Sequence, residues 1–421
     1  MKSAGPAPAN RRILFSLGLS QALNAACVPI ALIIASLTVV QLAGGDSRWA
    51  GVPAFLTLFG SSLATLTAGR IVQRTGYRRL LMTVCVVGMF GAALAGYASI
   101  KEHFAWFLLG LLFLGMAVGV IQLSRYAAAE TSPPDARARA MGKVILGSTV
   151  GAIAGPLLVG PFGRLAETVG VPALSGPWLA AVLFYLAAMA NTWFLLRPEP
   201  RELAHRLGLA AVAAAPVTPA PVAVARTIGQ MLRERRIALS IGSLVAAQWA
   251  MVLVMAITPL HMHTHQHAVP VISFVISAHF VGMFGLSFLS GWLADRVGRM
   301  ETVGLGGVVL TAACLLAPLS THPALLMVAL FLLGLGWSFC FLGASGTLSE
   351  GLAPVERGRI QGFNEALVAL TSAVASAGSG LLFAAFGFRN MALVGLAVSF
   401  LPCALFLASR VRPATTWTVP G

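Results

Sequence analysis

The chain is a succession of long apolar stretches separated by short polar segments. A hydrocarbon core about 30 Å thick takes about 20 apolar residues in a helix, and twelve stretches of that kind are present. The pattern predicts twelve membrane-spanning helices, numbered here as spans 1 to 12 in chain order. Their predicted bounds are 13–38, 50–70, 79–99, 104–124, 143–165, 177–196, 238–260, 269–292, 302–319, 323–345, 361–384 and 390–409.

The first apolar stretch follows three basic residues, as in a signal peptide: Lys2, Arg11 and Arg12. It is longer than the apolar core of a signal peptide and has no small-residue cleavage pattern at its end, so we interpret it as span 1 and expect no cleavage. Composition agrees with this interpretation. Of the 421 residues, 58% are hydrophobic and only 10% are charged, whereas soluble proteins carry about 25% charged residues. A water-soluble fold is therefore excluded.

Basic residues are concentrated on one predicted side of the membrane. With the N-terminus inside, 24 of the 28 Lys and Arg residues fall in cytoplasmic segments. Cytoplasmic loops of membrane proteins collect Lys and Arg, so both termini are predicted to be cytoplasmic. The net charge of +15 is thereby explained without a nucleic-acid partner. The exceptions in outer loops are Arg48, Lys101, Arg164 and Arg389.

The chain repeats itself around one long polar segment. Residues 197–237 carry seven arginines around an Ala/Pro/Val-rich middle, which predicts a cytoplasmic linker between two six-helix bundles, 1–196 and 238–421. The fold class predicted is an all-α polytopic membrane protein with two pseudo-symmetric halves. The repeat pairs Glu130, Pro134, Arg137, Arg139 and Gly142 with Glu350, Pro354, Arg357, Arg359 and Gly362, all at one constant offset along the chain.

A second repeat, at nearly the same offset, pairs Gly69, Arg74 and Gly76 with Gly291, Arg296 and Gly298. Its later copy, which also contains Asp295 and Arg299, resembles the loop motif G-x-x-x-D-R-x-G-R of the major facilitator superfamily. The resemblance covers the whole chain and implies a 6+6 transporter that works by alternating access. An acid at a helix end can hold basic partners across the halves in one conformation. Gln73 replaces that acid in the first copy.

Ionisable residues are scarce inside the spans, so those present are functional candidates. His279 is the one near mid-membrane, and Glu365, one turn into span 11, is a candidate for coupling. Met251 and Met255 in span 7, like His279 and Met283 in span 8, are spaced i, i+4 and share a helix face. A rise of about 1.5 Å per residue places Met251 level with His279. Thioether and imidazole groups suit Cu(I). The scarcity of ionisable residues inside the spans argues against a sugar or phosphate carrier, whose site would need several hydrogen-bonding or cationic groups.

The predicted outer loop between spans 7 and 8 contains four histidines in seven residues. Neutral imidazoles hold borderline metal cations, so the loop is a candidate metal-collecting site above the Met/His pairs. The alternatives are a solvated polar loop and, for the Met pairs, ordinary core packing. The residues concerned are His261, Met262, His263, His265 and His267.

Together, M-x-x-x-M in span 7 and H-x-x-x-M in span 8 resemble the copper-binding signature of CcoA-type copper importers. The resemblance implies copper uptake across a bacterial inner membrane for the assembly of a cbb-type haem-copper cytochrome oxidase. Copper is then the transported substrate, with no prosthetic group, and Met251, Met255, His279 and Met283 are its ligands. Expected partners are copper ion, the lipid bilayer and copper chaperones, and a monomer is expected. Relatives of this subgroup carry riboflavin, so riboflavin-type uptake remains an alternative.

Other functions remain open. Gly147, Gly151, Gly155-Pro156 and Gly160 in span 5 resemble a motif of drug/proton antiporters, although small residues also serve helix packing. A membrane-bound copper sensor or assembly factor is a further alternative, against which the internal repeat favours transport. No nucleophile elbow or phosphate-binding loop is present in the sequence, so no enzymatic activity is expected. The five cysteines are interpreted as small buried hydrophobes.

Overall fold

The computed structural model describes residues 8–133, 136–206, 226–348, 352 and 354–410. Within this part the chain is almost entirely helical. Eleven helices are long and apolar enough to cross a membrane, and the last of them covers 52 residues. That helix is broken at Gly387, where φ is 73° and ψ is 173°, and the break separates spans 11 and 12. The all-helical fold with twelve crossings is thereby confirmed.

Spans 1 to 6 form the first half, called the N-half here. A short 3₁₀ helix, Ser47–Gly51, precedes span 2, and the helix Pro200–Arg206 follows span 6. The spans are Pro8–Leu42, Val52–Thr75, Tyr77–Ile100, Phe104–Ile121 continued by Ser124–Glu130, Arg137–Leu157 continued by Val159–Thr168, and Gly176–Leu195.

Spans 7 to 12 form the second half, called the C-half here. A short helix, Ile228–Leu232, precedes span 7. Span 8 contains a π-helical turn between two α-helical segments. The spans are Arg235–Thr264, then Val269–Phe280, Val281–Gly285 and Ser287–Arg296 together, then Arg299–Leu316, Pro323–Leu348, and Pro354–Arg410 for spans 11 and 12.

The two halves contact each other mostly through spans 1 and 7, 2 and 11, and 5 and 8. Within the N-half, span 5 packs directly on the backbone of span 1. A Cβ atom at Gly151 would lie 1.9 Å from the carbonyl oxygen of Ala22, and one at Gly147 would lie 2.1 Å from that of Gly18. Only glycine permits this approach, which favours the packing interpretation of the span 5 glycines.

One predicted boundary was wrong. Span 7 continues to Thr264 instead of ending at residue 260, so His261, Met262 and His263 lie in a helix and not in a loop. The predicted break between spans 11 and 12, at residues 385–389, is confirmed by the non-helical backbone of Gly387. The domain limits stay a prediction, because residues 207–225 of the linker, like Pro134 and Glu350 of the repeat, lie outside the described residues.

Candidate functional site

A cavity of about 240 Å³ lies between the two halves. The N-half contributes apolar and hydroxyl side chains from spans 1, 2 and 4, including Leu32, Ala54 and Ser61. The C-half contributes the polar and sulfur-containing groups. No Asp, Glu, Lys or Arg side chain lines the cavity among the described residues, so its chemistry is that of neutral ligands.

All four residues of the predicted Met/His pairs line this single cavity. They are Met251 and Met255 from span 7 and His279 and Met283 from span 8. Each is buried, with at most 8% of its surface exposed. Residues from two different spans are thus brought to one place, as the helix-face argument predicts. Their role as copper ligands stays a prediction.

His279 is fully buried, and its two ring nitrogens differ in their surroundings. Nδ1 lies 3.0 Å from the carbonyl oxygen of Leu330 in span 10. Because a carbonyl can only accept, Nδ1 carries the hydrogen and Nε2 keeps its lone pair. Nε2 has no hydrogen-bond partner, and a buried polar atom left unpaired costs about 1–3 kcal/mol. A metal-ligating histidine has this arrangement, with one nitrogen oriented by a carbonyl and the other free to bind.

The π-helical turn Val281–Gly285 lies directly after His279 and contains Met283. π-Helical turns are rare and occur frequently at functional sites. The wider turn changes the register between His279 and Met283, so an i, i+4 spacing does not by itself place both side chains in line. Both nevertheless face the same cavity.

Gln248 also lines the cavity, although the sequence pattern did not predict it as a site residue. Its side-chain oxygen accepts a hydrogen bond from Trp337 Nε1 at 2.7 Å, and its Nε2 donates to Ser372 Oγ at 2.7 Å. It therefore ties span 7 to spans 10 and 11 beside the methionines. A single amide in the middle of an apolar span was the available signal.

Two of the outer histidines form a pair, since the ring centres of His261 and His265 lie 4.5 Å apart, but the four do not form one cluster. The ring of His261 is buried and stacks on Phe388, with centroids 3.9 Å apart. His265 Nδ1 lies 2.8 Å from the carbonyl oxygen of His261, and His267 Nε2 lies 2.8 Å from that of Thr321. Among the described residues no three His, Cys, Asp or Glu side chains are placed to hold a metal together. A collecting role for these histidines therefore stays a prediction.

On the outer side of the cavity, the 3₁₀ helix before span 2 contacts span 11. Ser376 Oγ donates to the carbonyl oxygen of Gly51 at 3.0 Å, and Ser376 also lines the cavity. Asp46 fixes the start of the 3₁₀ helix by accepting from the backbone nitrogen of Arg48 at 3.0 Å. Hydrogen bonds from the side chain and backbone of Arg48 lower the pKa of Asp46, so this carboxylate is charged at neutral pH.

The two copies of the loop motif form the same kind of turn. Gly76 and Gly298 both have φ in the left-handed region, at 82° and 116°, which favours glycine. Arg299 donates to the carbonyl oxygen of Gly346 in span 10. Asp295 is exposed and makes no ion pair with another described residue, so it does not hold the halves together in this conformation.

A different acid serves the N-half, where Gln73 replaces the motif carboxylate. Glu199, just after span 6, accepts from the backbone nitrogens of Tyr77 at 2.6 Å and Arg78 at 3.0 Å. These are unpaired groups at the start of span 3, where a negative charge is favourable. No spacing signal along the chain pointed to this contact. Glu365, the candidate for coupling, is exposed on span 11 and does not line the cavity.

The fold and the repeat define a multi-pass membrane transporter. A family model described as Major Facilitator Superfamily matches residues 14–267 and 239–421, and the chain belongs to that family. It is 30% identical over 404 residues to the uncharacterized MFS-type transporter YdeG of Bacillus subtilis, covering 96% of this chain and 93% of that protein. The riboflavin transporter RfnT of Brucella anthropi is 30% identical over 388 residues, covering 91% and 92%.

A solved structure shows the same architecture. It is a bacterial homolog of the human lysosomal transporter Spinster, in an inward-facing and unoccupied conformation. The TM-score is 0.71 at 15% sequence identity, covering 97% of this chain and 100% of that one. This likeness concerns the fold alone.

Proposed function

We propose that this transporter imports copper across the bacterial inner membrane by alternating access. One observation carries the proposal: Nε2 of His279 has no hydrogen-bond partner, while His279 and three methionines line the same buried cavity. An imidazole nitrogen and thioether sulfurs are ligands that suit Cu(I). Delivery of copper for a haem-copper oxidase is the role that the resemblance to CcoA-type importers implies.

Charge supports a soft monovalent cation as the substrate. The ligand set is neutral, and no charged side chain lines the cavity among the described residues. A hard divalent cation would be expected to need carboxylate or other oxygen ligands. Met251, Met255, Met283 and His279 can bind Cu(I) without the cost of burying permanent charges in the membrane.

The depth of the ligands defines a path for the ion. Met255 lies one turn nearer the outer end of span 7 than Met251, and Met283 lies one turn beyond His279 in the opposite direction. Copper would enter past Met255, be held at Met251 and His279, and leave past Met283. Separation of Gly51 from Ser376 would open the outer end, and their contact would close it before release.

The test is uptake of radiolabelled copper by cells that lack the native gene and produce this chain. Met251→Leu keeps the volume of the side chain but removes the sulfur, and His279→Ala removes the imidazole. Because even changes to groups that support metal ligands cost about 10–100-fold in affinity, we expect each variant to lose at least tenfold in uptake at low copper concentration. Membrane levels of each variant are measured by immunoblot.

The matched control is Met391→Leu, the same change at a fully buried methionine that does not line the cavity. We expect its uptake to equal that of the unchanged chain. Normal copper uptake by both Met251→Leu and His279→Ala would exclude the ligand set. Copper accumulation that rises in the absence of the chain would reverse the direction and indicate efflux.

Uptake of a riboflavin-like compound is the second candidate. It is favoured by the 30% identity to the riboflavin transporter RfnT over 91% of this chain. Against it, the cavity of about 240 Å³ is smaller than the roughly 300–1,000 Å³ typical of sites for drug-sized ligands. Riboflavin uptake in the same cells separates the two: transport of riboflavin without copper, insensitive to Met251→Leu, would establish the flavin and exclude copper.

A further inference from the structure

Three arginines from different parts of the N-half converge on the end of span 6. Arg12 of span 1 donates to the carbonyl oxygen of Phe194. Arg78 of span 3 donates to that of Trp193 at 3.0 Å, and Arg197 donates to the same oxygen at 3.1 Å. The last carbonyl groups of a helix lack partners within the helix. Here the carbonyl oxygens of Trp193 and Phe194 accept hydrogen bonds from three arginines.

The hydrogen bonds to the helix end use only part of these arginines. Each guanidinium has five N–H donors, and the carbonyl bonds occupy one donor on each. Nε of Arg78 is buried and has no hydrogen-bond partner. The guanidinium groups of Arg78 and Arg197 also lie 5.0 and 5.5 Å from the ring centre of Trp193, which holds them close together around one exposed indole. Donors therefore remain for a further ligand.

The cluster lies at the edge of the lipid-facing surface of span 6. Trp193 and Phe194 are 47% and 65% exposed. They continue an exposed apolar stripe that begins nearer the start of span 6 with Leu179, Leu183 and Leu186. Aromatic residues at the end of a span mark the membrane–water interface. The arginines thus lie at the depth of the lipid headgroups, on the side of the membrane where the basic loops lie.

The charge of this cluster is not balanced as it is in the C-half. There, Arg410 at the end of span 12 is paired with Glu301. The offset that relates the two loop motifs places Arg79 at the position equivalent to Glu301, so an acid in one half is replaced by a base in the other. The carboxylate of Glu199, which accepts from the backbone nitrogens of Tyr77 and Arg78, offsets only one of the three positive charges of the cluster. A net positive site is left at the headgroup region.

We propose that Arg12, Arg78 and Arg197 bind the phosphate group of an anionic phospholipid. Guanidinium groups match phosphate oxygens in geometry and charge, and basic sites between helices on this side of a membrane bind anionic headgroups. The exposed Trp193 and Phe194 contact the adjoining acyl chain and glycerol region. The site is separate from the central cavity, so it does not depend on the identity of the transported substrate.

The test is native mass spectrometry of the full chain in detergent with added phosphatidylglycerol, phosphatidylcholine or inorganic phosphate. We expect phosphatidylglycerol to bind more tightly than phosphatidylcholine. The binding free energy that one arginine near the membrane surface contributes corresponds to about a fivefold change in affinity for anionic lipid. Arg197→Gln is therefore expected to weaken phosphatidylglycerol binding by that factor. Arg12→Gln combined with Arg197→Gln is expected to weaken it about 25-fold, and Arg197→Lys to retain most of the binding.

Arg410→Gln is the matched control, because it removes one arginine from the end of the last span of the C-half. It is expected to leave phosphatidylglycerol binding unchanged. Unchanged binding in Arg197→Gln, or an equal loss in Arg410→Gln, would overturn the site. Inorganic phosphate that binds in an Arg197-dependent way and displaces the lipid would overturn the lipid assignment in favour of a free anion. Melting temperatures without added lipid verify that each variant is folded.

Discussion

The contact between Gly51 and Ser376 depends on the absence of a side chain at Gly51. We expect this contact to close the outer end of the cavity, and adding one methyl group tests this. Gly51 has helical backbone angles, φ −84° and ψ −15°, which alanine adopts without strain. A Cβ atom there would nevertheless lie 1.7 Å from the backbone oxygen of Ser376. The substitution Gly51→Ala therefore acts on the contact between the halves and leaves the local backbone conformation unchanged.

The size of the effect follows from these distances. Real Cβ atoms essentially never come within 3.0 Å of such an atom, so the two backbones must move apart until the separation of 1.7 Å has grown to at least that limit. The hydrogen bond from Ser376 Oγ to the Gly51 oxygen, 3.0 Å long, is then lost, which costs about 1 kcal/mol of free energy. With the lost packing, the closed state should be destabilised by about 2 kcal/mol, roughly 30-fold in its population.

The assay measures access to the cavity from outside and does not depend on the substrate. Ala54 lines the cavity, and Ala54→Cys is labelled with a membrane-impermeant maleimide on intact cells. We expect the Gly51→Ala change to increase the labelling rate up to roughly 30-fold and to slow transport, because the outer end no longer closes. The same chain without Ala54→Cys corrects for the five natural cysteines.

Gly378→Ala is the matched control. Gly378 follows shortly after Ser376 on the same helix, and a Cβ atom there has no neighbour within 4 Å. The labelling rate and the transport rate of this variant are expected to equal those of the parent chain. If Gly51→Ala behaves like Gly378→Ala in both measurements, the contact between the 3₁₀ helix and span 11 is not the closure of the outer end.

Two further predictions concern the rest of the cavity and its outer mouth. Gln248→Leu removes the hydrogen bonds to Trp337 and to span 11, each worth about 0.5–1.5 kcal/mol, and should lower the melting temperature of the purified protein. An unchanged melting temperature would show that the network adds no stability. Combined replacement of His263, His265 and His267 by alanine should raise the copper concentration needed for half-maximal uptake without abolishing it. Complete loss would instead make these histidines part of the essential path.

Much of the site was predictable because a span has a regular periodicity. Met251 and Met255 are one turn apart on a continuous helix, so their common face follows from the helical repeat. His279 stood out because an ionisable side chain in mid-membrane is costly and rarely without a role. The predicted end of span 7 at residue 260 was wrong because it was placed where the apolar residues stop and the histidines begin. The helix itself continues as far as its backbone hydrogen bonds do.

The sequence by itself determined the class of protein, since span lengths, loop charges and the internal repeat reflect the thickness and asymmetry of the bilayer acting on every segment separately. Tertiary structure decided which groups meet. The carbonyl group that orients His279 belongs to Leu330 in another span. Glu199 supplies the carboxylate at the start of span 3, and Gly51 contacts Ser376 at the outer side of the cavity. These contacts join segments far apart in the chain, so only the packing of helices against one another brings them together.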